Sequence, residues 1–197
     1  MKKLAVFFPG IGYTVDKPLM HYARRLAANA GYEIRLLPYA GFPDKIIGDR
    51  DRMTASFAIA YGQAEEMLKD LDFSAFEEIL FVGKSIGTVV AAKMASESKL
   101  RDRIRLILYT PLPETFSLPF GEAVAFTGGA DQWVGKEKSP IPKLCRERGI
   151  PVTVIPGANH SLETGEVGTD IRNMEAIMEA TRRFMTGEAM DESADRS

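Results

Sequence analysis

The stretch Glu78-Ile-Leu-Phe-Val-Gly83-Lys84-Ser85-Ile86-Gly87-Thr88 runs from a short apolar segment into the pattern Gly-x-Ser-x-Gly. The residues after it are typical of a helix, so we predict a buried strand, a tight turn and a helix. Such a turn holds the Ser85 hydroxyl clear of the sheet at the helix N-terminus. Glycines suit positions 83 and 87 because side chains there would collide with the neighbouring strand and helix. An ordinary connection in which Ser85 merely caps the helix stays open as an alternative.

The same residues resemble the end of a phosphate-binding loop, Gly-x-x-x-x-Gly-Lys-Ser/Thr. That motif requires a glycine at position 78, where this chain has Glu78. It also requires a flexible loop whose amides wrap the phosphate, whereas residues 79–82 are the interior of a predicted strand. The sequence therefore argues against this kind of nucleotide site.

Six short apolar runs recur along the chain and alternate with longer amphipathic segments. Each run is continuous rather than alternating, which is typical of parallel strands buried on both faces. The predicted fold is α/β, a three-layer α/β/α sandwich with a mainly parallel sheet of about six strands. We expect one domain over residues 1–187 and a disordered tail over 188–197. The predicted strands are 4–8, 34–37, 79–82, 106–109, 123–126 and 152–155.

Three of the amphipathic segments predict helices with one apolar face. In the first, Asp16 is the expected N-cap. Core-facing stripes are predicted at Leu19, Tyr22, Ala23, Leu26 and Ala30, then at Met53, Phe57, Ala60, Ala64, Met67 and Leu71, and finally at Ile171, Met174, Met178 and Phe184 before Gly187 ends the last helix.

A serine nucleophile needs a base, and the chain contains only two histidines. His160 follows the last predicted strand, and loops after the carboxyl ends of parallel strands converge on one edge of a sheet. His21 lies on the first predicted helix, where a structural role is expected. Asp131 follows the preceding strand and is the expected partner that orients the imidazole. Glu163 is a poorer candidate because it is so close to His160 in sequence.

A glycine-rich turn, Phe8-Pro-Gly10-Ile11-Gly12-Tyr13, follows the first strand. We predict that the backbone amides of Ile86 and Ile11 form an oxyanion hole, with Gly12 as the next choice for the second donor. A dinucleotide-binding fingerprint is the rival interpretation of these glycines. It fails because its third glycine position is Val15 and no acidic residue ends the second strand.

Four motifs together resemble the α/β-hydrolase superfamily. They are Phe8-Pro-Gly-Ile-Gly12, Gly83-Lys-Ser-Ile-Gly87, Gly129-Ala-Asp131-Gln-Trp-Val134 and Gly157-Ala-Asn-His160, in the chain order Ser, Asp, His. The chain looks similar to small members without a lid domain, such as dienelactone-hydrolase-like and carboxylesterase-like proteins. It has serine where dienelactone hydrolases carry cysteine.

The resemblance implies a serine hydrolase that cleaves a small ester or thioester with Ser85, Asp131 and His160 as its catalytic triad. Acyl transfer, peptidase activity and a non-catalytic binding role stay open. We expect a shallow substrate pocket bordered by Tyr13, Phe116, Leu118 and Trp133. Lys84 is expected to extend along the strand end or pair with a carboxylate, or else to favour an acidic substrate.

Composition sets limits on partners and compartment. The formal net charge is −2, with Lys and Arg spread along the chain, which does not favour nucleic acid or an anionic membrane as a partner. Cys145 is the only cysteine, and we expect it to be a buried packing residue. A cytoplasmic protein without metal or organic cofactor is predicted, acting on a small-molecule acyl substrate, and its oligomeric state stays open.

Overall fold

The computed structural model describes residues 2–44, 46, 48–134 and 139–188. Its centre is a six-stranded sheet in the order β2-β1-β3-β4-β5-β6, in which every neighbouring pair of strands is parallel. All six predicted runs form strands, and the predicted α/β class with a parallel sheet is confirmed. The strands are β1 Lys3–Phe8, β2 Tyr32–Leu36, β3 Glu78–Lys84, β4 Ile104–Tyr109, β5 Ala123–Gly128 and β6 Val152–Ile155.

Helices cover both faces of this sheet and complete the three layers. One buried cluster packs the second, third and fourth helices on one face, and the other packs the first and fifth on the opposite face. Within β1, Leu4, Val6 and Phe8 belong to the first cluster, while Ala5 and Phe7 belong to the second. The strand reads as continuously apolar because both of its faces are buried. The helices are α1 Pro18–Asn29, α2 Arg50–Leu68, α3 Ile86–Glu97, α4 Ile141–Glu147 and α5 Val167–Thr186.

Three predicted core positions are wrong. Tyr22, predicted on the core face of α1, is 48% exposed. Helical periodicity explains the other two. Met67 is 43% exposed, whereas Leu68 is 4% exposed and continues the stripe of small residues on α2. Ile171 is 65% exposed because it lies about 120° around α5 from the buried Ile177, at about 100° per residue. Phe184 is buried as predicted.

The helix ends agree with the sequence prediction only in part. Gly187 ends α5 with a left-handed backbone (φ 73°), as expected for a glycine at that position. Asp16 is not the N-cap of α1; Lys17 holds that position without a side-chain hydrogen bond, and Asp16 lies 3.7 Å from Arg24 instead.

Cys145 is fully buried on α4, as predicted.

Two features of the chain bear on the predicted tail and on membranes. Glu188 pairs with Arg182, and the rest of the tail predicted over 188–197 lies outside the described residues. Among the helices of the described ranges, none combines the length and the apolar character needed to cross a bilayer.

The end of β5 approaches the loop after β6 so closely that only glycine fits. A Cβ atom on Gly128 would lie 2.3 Å from the carbonyl oxygen of Ala158 and 2.5 Å from that of Asn159. Both oxygens belong to backbone, so the clash could be relieved only by moving the loop that carries His160. Gly62, inside α2, has open space at the same position.

We predict opposite effects for one substitution at these two glycines. Gly128→Ala should lower the free energy of unfolding by about 1–3 kcal/mol or more, because backbone must shift to admit the methyl group. Gly62→Ala should raise it by roughly 0.5–1 kcal/mol, because alanine loses less backbone entropy in a helix. Urea unfolding followed by circular dichroism measures both, and equal effects would contradict the packing described for Gly128.

Candidate active site

Ser85 stands in a strained turn between β3 and α3. Its backbone angles are φ 55° and ψ −124°, which a residue with a side chain rarely adopts. Its N–H donates to the carbonyl of Tyr109 at 3.0 Å, and its own carbonyl accepts from Thr88 N at 2.8 Å. The Ser85 side chain makes no capping hydrogen bond to α3. The structure therefore supports the predicted turn and not the alternative of a plain capping serine.

Three glycines allow the backbone to approach this turn. A Cβ on Gly87 would lie 2.0 Å from the carbonyl oxygen of Phe8, and one on Gly83 would lie 2.7 Å from Cα of Thr88. One on Gly10 would lie 3.2 Å from Cβ of Ser85 itself. Side chains at positions 83 and 87 would thus collide with the neighbouring helix and strand, as predicted from the sequence.

Ser85, His160 and Asp131 form a continuous chain of hydrogen bonds. His160 Nε2 lies 2.7 Å from Ser85 Oγ, and His160 Nδ1 lies 2.7 Å from Asp131 Oδ2. An ionised carboxylate only accepts, so Nδ1 carries the proton and Nε2 is free to accept from the serine hydroxyl. The three predicted residues are therefore brought together, each from a loop at the carboxyl end of its strand.

Trp133 contacts both the carboxylate of Asp131 and the imidazole of His160. The second oxygen of Asp131, Oδ1, accepts from the backbone N–H of Trp133 at 3.0 Å. The indole of Trp133 stacks on the His160 ring, with centroids 5.2 Å apart and planes at 26°. His21 lies elsewhere, on α1, with its Nδ1 3.3 Å from Arg24 Nη2.

Electrostatics keep the imidazole neutral. Burial lowers the pKa of His160 below its ordinary value of 6.5, and the positive charge of Lys84 lowers it further. The hydrogen bond to Asp131 opposes both effects. A neutral imidazole is the form that can accept a proton from Ser85.

Lys84 is buried next to Ser85 and is only 1% exposed. Its ammonium lies over the ring of Tyr13, 4.9 Å from the centroid. Burial lowers the pKa of Lys84 to about 7, against the opposing attraction of Asp131 and Glu163. It forms no ion pair with any residue in the described ranges. The predicted pairing with a carboxylate is therefore replaced by a contact with an aromatic face.

A small cavity of about 200 Å³ opens above Ser85. It is lined by residues that the sequence analysis had assigned to the oxyanion hole and to the substrate pocket. The predicted residues that line it are Ile11, Gly12, Tyr13, Lys84, Ile86 and Trp133, together with Ser85 and His160.

A second, larger cavity of about 790 Å³ adjoins the first. Leu118 and Trp133 line it as predicted, but Phe116 does not and packs against the core instead. The predicted borders of the pocket omitted one wall, the first turns of α2. Met53 and Phe57, assigned from the sequence to the core, line this cavity. A partly buried apolar residue beside the site has the same sequence signature as a core residue, so no signal distinguished them.

Within residues 2–44, 46, 48–134 and 139–188, no three His, Cys, Asp or Glu side chains are grouped as they would be around a metal ion.

The fold matches those of solved structures described as α/β hydrolases and esterases. Est1E from Butyrivibrio proteoclasticus has a TM-score of 0.65 at 14% identity over 94% of this chain and 88% of its own, and Est1E has also been solved with ferulic acid bound. A dienelactone hydrolase from Anabaena variabilis has a TM-score of 0.61 at 15% identity over 96% and 88% of the two chains. An α/β serine hydrolase homologue from Coxiella burnetii has a TM-score of 0.59 at 18% identity over 90% and 84%.

No protein-family model and no curated protein sequence matches the chain. The structural likeness nevertheless defines its architecture: the chain has the α/β-hydrolase fold. The resemblance inferred from the four sequence motifs is confirmed at the level of the fold.

We predict that removing the charge of Lys84 raises the pKa of His160. In Lys84→Met the buried volume is kept while the cation that disfavours the imidazolium is lost. Because the pKa of Lys84 is about 7 and that of His160 is below 6.5, the lysine is largely charged while His160 titrates. NMR titration of the His160 ring protons measures the change.

Lys3→Met is the matched control for this titration. Lys3 begins β1, at the opposite end of the strand from the Ser85 turn, and pairs with Glu78. We expect this variant to leave the His160 titration unchanged. An unchanged titration in Lys84→Met as well would contradict the electrostatic role described for Lys84.

Proposed function

We propose that the protein is a serine hydrolase that cleaves an ester or thioester through an acyl-enzyme on Ser85. One observation carries the proposal: the unbroken hydrogen-bond chain from Ser85 through His160 to Asp131, with both donor–acceptor distances at 2.7 Å. A serine in a strained turn, a neutral imidazole and a buried carboxylate are the three groups that acyl transfer to a serine requires.

The proposed reaction has two displacements. Ser85 Oγ attacks the acyl carbon while its proton passes to His160 Nε2, and the imidazolium then gives that proton to the departing alcohol or thiol. Water next gives a proton to His160 and attacks the acyl-enzyme, and the proton returns to Ser85 as the acid leaves. Asp131 holds the imidazole in the required tautomer and stabilises its cation throughout.

The negative charge that develops on the acyl oxygen needs donors. Ile86 follows Ser85 directly, Ile11 lies on the turn after β1, and both line the small cavity with Ser85. We propose their backbone N–H groups as the two donors, with Gly12 as the alternative to Ile11. One such donor typically contributes a factor of about 10²–10³ to kcat.

The structural neighbours support an ester as substrate. Est1E has been solved with ferulic acid, an aromatic carboxylic acid, and another neighbour is a dienelactone hydrolase. An acid and a lactone both fit chemistry at an acyl carbon. These are properties of those proteins, and for this chain they favour carboxylic ester hydrolysis within the proposal.

We predict that a fluorophosphonate probe labels Ser85 in the folded protein. Peptide mapping by mass spectrometry should place the adduct on Ser85. Ser85→Ala should abolish it, because within the described ranges Ser85 is the one hydroxyl that hydrogen-bonds to His160. Ser74→Ala, on a surface turn, should label as the wild type does. A folded wild type that takes no label would favour a non-catalytic binding protein on this fold.

We predict that the rate of ester hydrolysis falls at low pH, as His160 becomes protonated. Because the pKa of His160 is lowered, the base stays neutral, and activity persists, to a pH below the ordinary histidine value of 6.5. The dependence of kcat/KM on pH measures this effect, and an acid limb above pH 6.5 would contradict it.

We predict that Asp131→Asn lowers kcat by about 10⁴-fold, because the imidazole loses the group that holds its correct tautomer.

Lys84 lines the small cavity and stays a proposed determinant of substrate charge. If its ammonium attracts an acidic acyl group, Lys84→Ala should reduce the preference for hemisuccinate esters over butyrate esters. An unchanged ratio of kcat/KM between the two esters would leave Lys84 with the electrostatic role toward His160 alone.

A further inference from the structure

The larger cavity beside the site is bounded mainly by apolar surface, to which three parts of the chain contribute. α2 contributes Met53 and Phe57, α3 contributes Val89, and the segment after β4 contributes Leu112 and Leu118. At about 790 Å³ it lies within the roughly 300–1,000 Å³ typical of pockets that bury a small organic ligand. Its size far exceeds what an acetyl group fills.

Two of the four charged residues that line this cavity in the described ranges, Asp49 and Lys93, pair with neighbouring side chains. Asp49 is the N-cap of α2, where it accepts from Arg52 N at 3.0 Å and pairs with Arg52 Nε at 3.1 Å. Lys93 pairs with Glu97 at 2.6 Å. Arg50 and Glu114 also line the cavity but are exposed to solvent. Since most of the lining surface is apolar, the cavity offers a ligand more apolar contact area than charge.

The larger cavity adjoins the space above Ser85. Met53, Ile86, Leu112 and Trp133 line both cavities, so a passage between the two runs along these four side chains. Trp133 also stacks on His160. A substrate group that extends from an acyl carbon at Ser85 into the larger cavity passes these residues and loses contact with solvent.

We infer that the substrate is an ester or thioester with one apolar group of medium size, an alkyl chain or an aryl-alkyl group, that occupies this cavity. The inference rests on the proposed function for its reaction and goes beyond it by naming the substrate class. The apolar group belongs either to the acid or to the leaving alcohol, and the experiment below separates the two.

Two ester series test the inference on the full-length protein. In the first, p-nitrophenyl esters run from acetate to octanoate; in the second, acetate esters run from ethyl to octyl. We expect kcat/KM to rise about fourfold per added methylene in one series, the factor that corresponds to burying one methylene group. A rise in the first series assigns the cavity to the acid, and a rise in the second assigns it to the alcohol. A flat response in both overturns the inference, while Ser85-dependent acetate hydrolysis keeps the proposed function intact.

Two matched substitutions on α2 locate the effect. Met53→Trp fills the passage and should flatten the dependence on chain length. Met67→Trp places the same side chain at an exposed position of the same helix and should leave that dependence as in the wild type. Equal slopes in the two variants would overturn the assignment to this cavity, provided that circular dichroism shows both to be folded.

Binding to the cavity can also be measured without catalysis, because Trp133 is the only tryptophan in the chain. Titration of Ser85→Ala with hexanol should change the Trp133 fluorescence saturably, at concentrations where ethanol has no such effect. A response without saturation to both alcohols overturns the inference. Since this readout requires no turnover, failure of the proposed catalysis and failure of the proposed binding are distinguishable.

Discussion

The close approach of β1 and α3 to the Ser85 turn is the constraint on which the rest of the site depends. The strained backbone of Ser85 costs roughly 1–3 kcal/mol and persists only where its surroundings fix it. Here the carbonyl of Phe8 lies where a side chain on residue 87 would be, and α3 begins immediately after the serine. This contact also brings the turn after β1, with Ile11 and Gly12, to the side of Ser85. One backbone packing arrangement thus places both the serine and the predicted oxyanion donors.

The other half of the site depends on a second close approach, at the end of β5. Gly128 lets the loop after β6 cross the strand end, and Ala130 N donates to the Ala158 carbonyl at 2.9 Å. The loops that carry Asp131 and His160 are therefore joined by backbone. The 2.7 Å distance between these two side chains does not depend on flexible surface loops meeting by chance.

Much of this arrangement could be predicted from the sequence, because it depends on local patterns and on chain order. Continuous apolar runs gave the six strands, and Gly-x-Ser-x-Gly with a later Asp and His gave the three residues that meet. The wall of the larger cavity could not be predicted, since Met53 and Phe57 have the spacing of core residues and only tertiary packing leaves them facing a void. The surroundings of Lys84 were missed for a related reason: its contact with Tyr13 joins residues 71 positions apart in the chain.

Cys145 has a consequence for covalent chemistry on this protein. Its thiol lies on the buried face of α4, and burial raises the pKa of the thiol to about 12. The reactive thiolate is therefore essentially absent at neutral pH. Reagents that ordinarily capture cysteine find no competing nucleophile of that kind in the folded chain. The folded protein should therefore keep its single thiol and form no disulfide-linked dimer when it is handled in air without reductant.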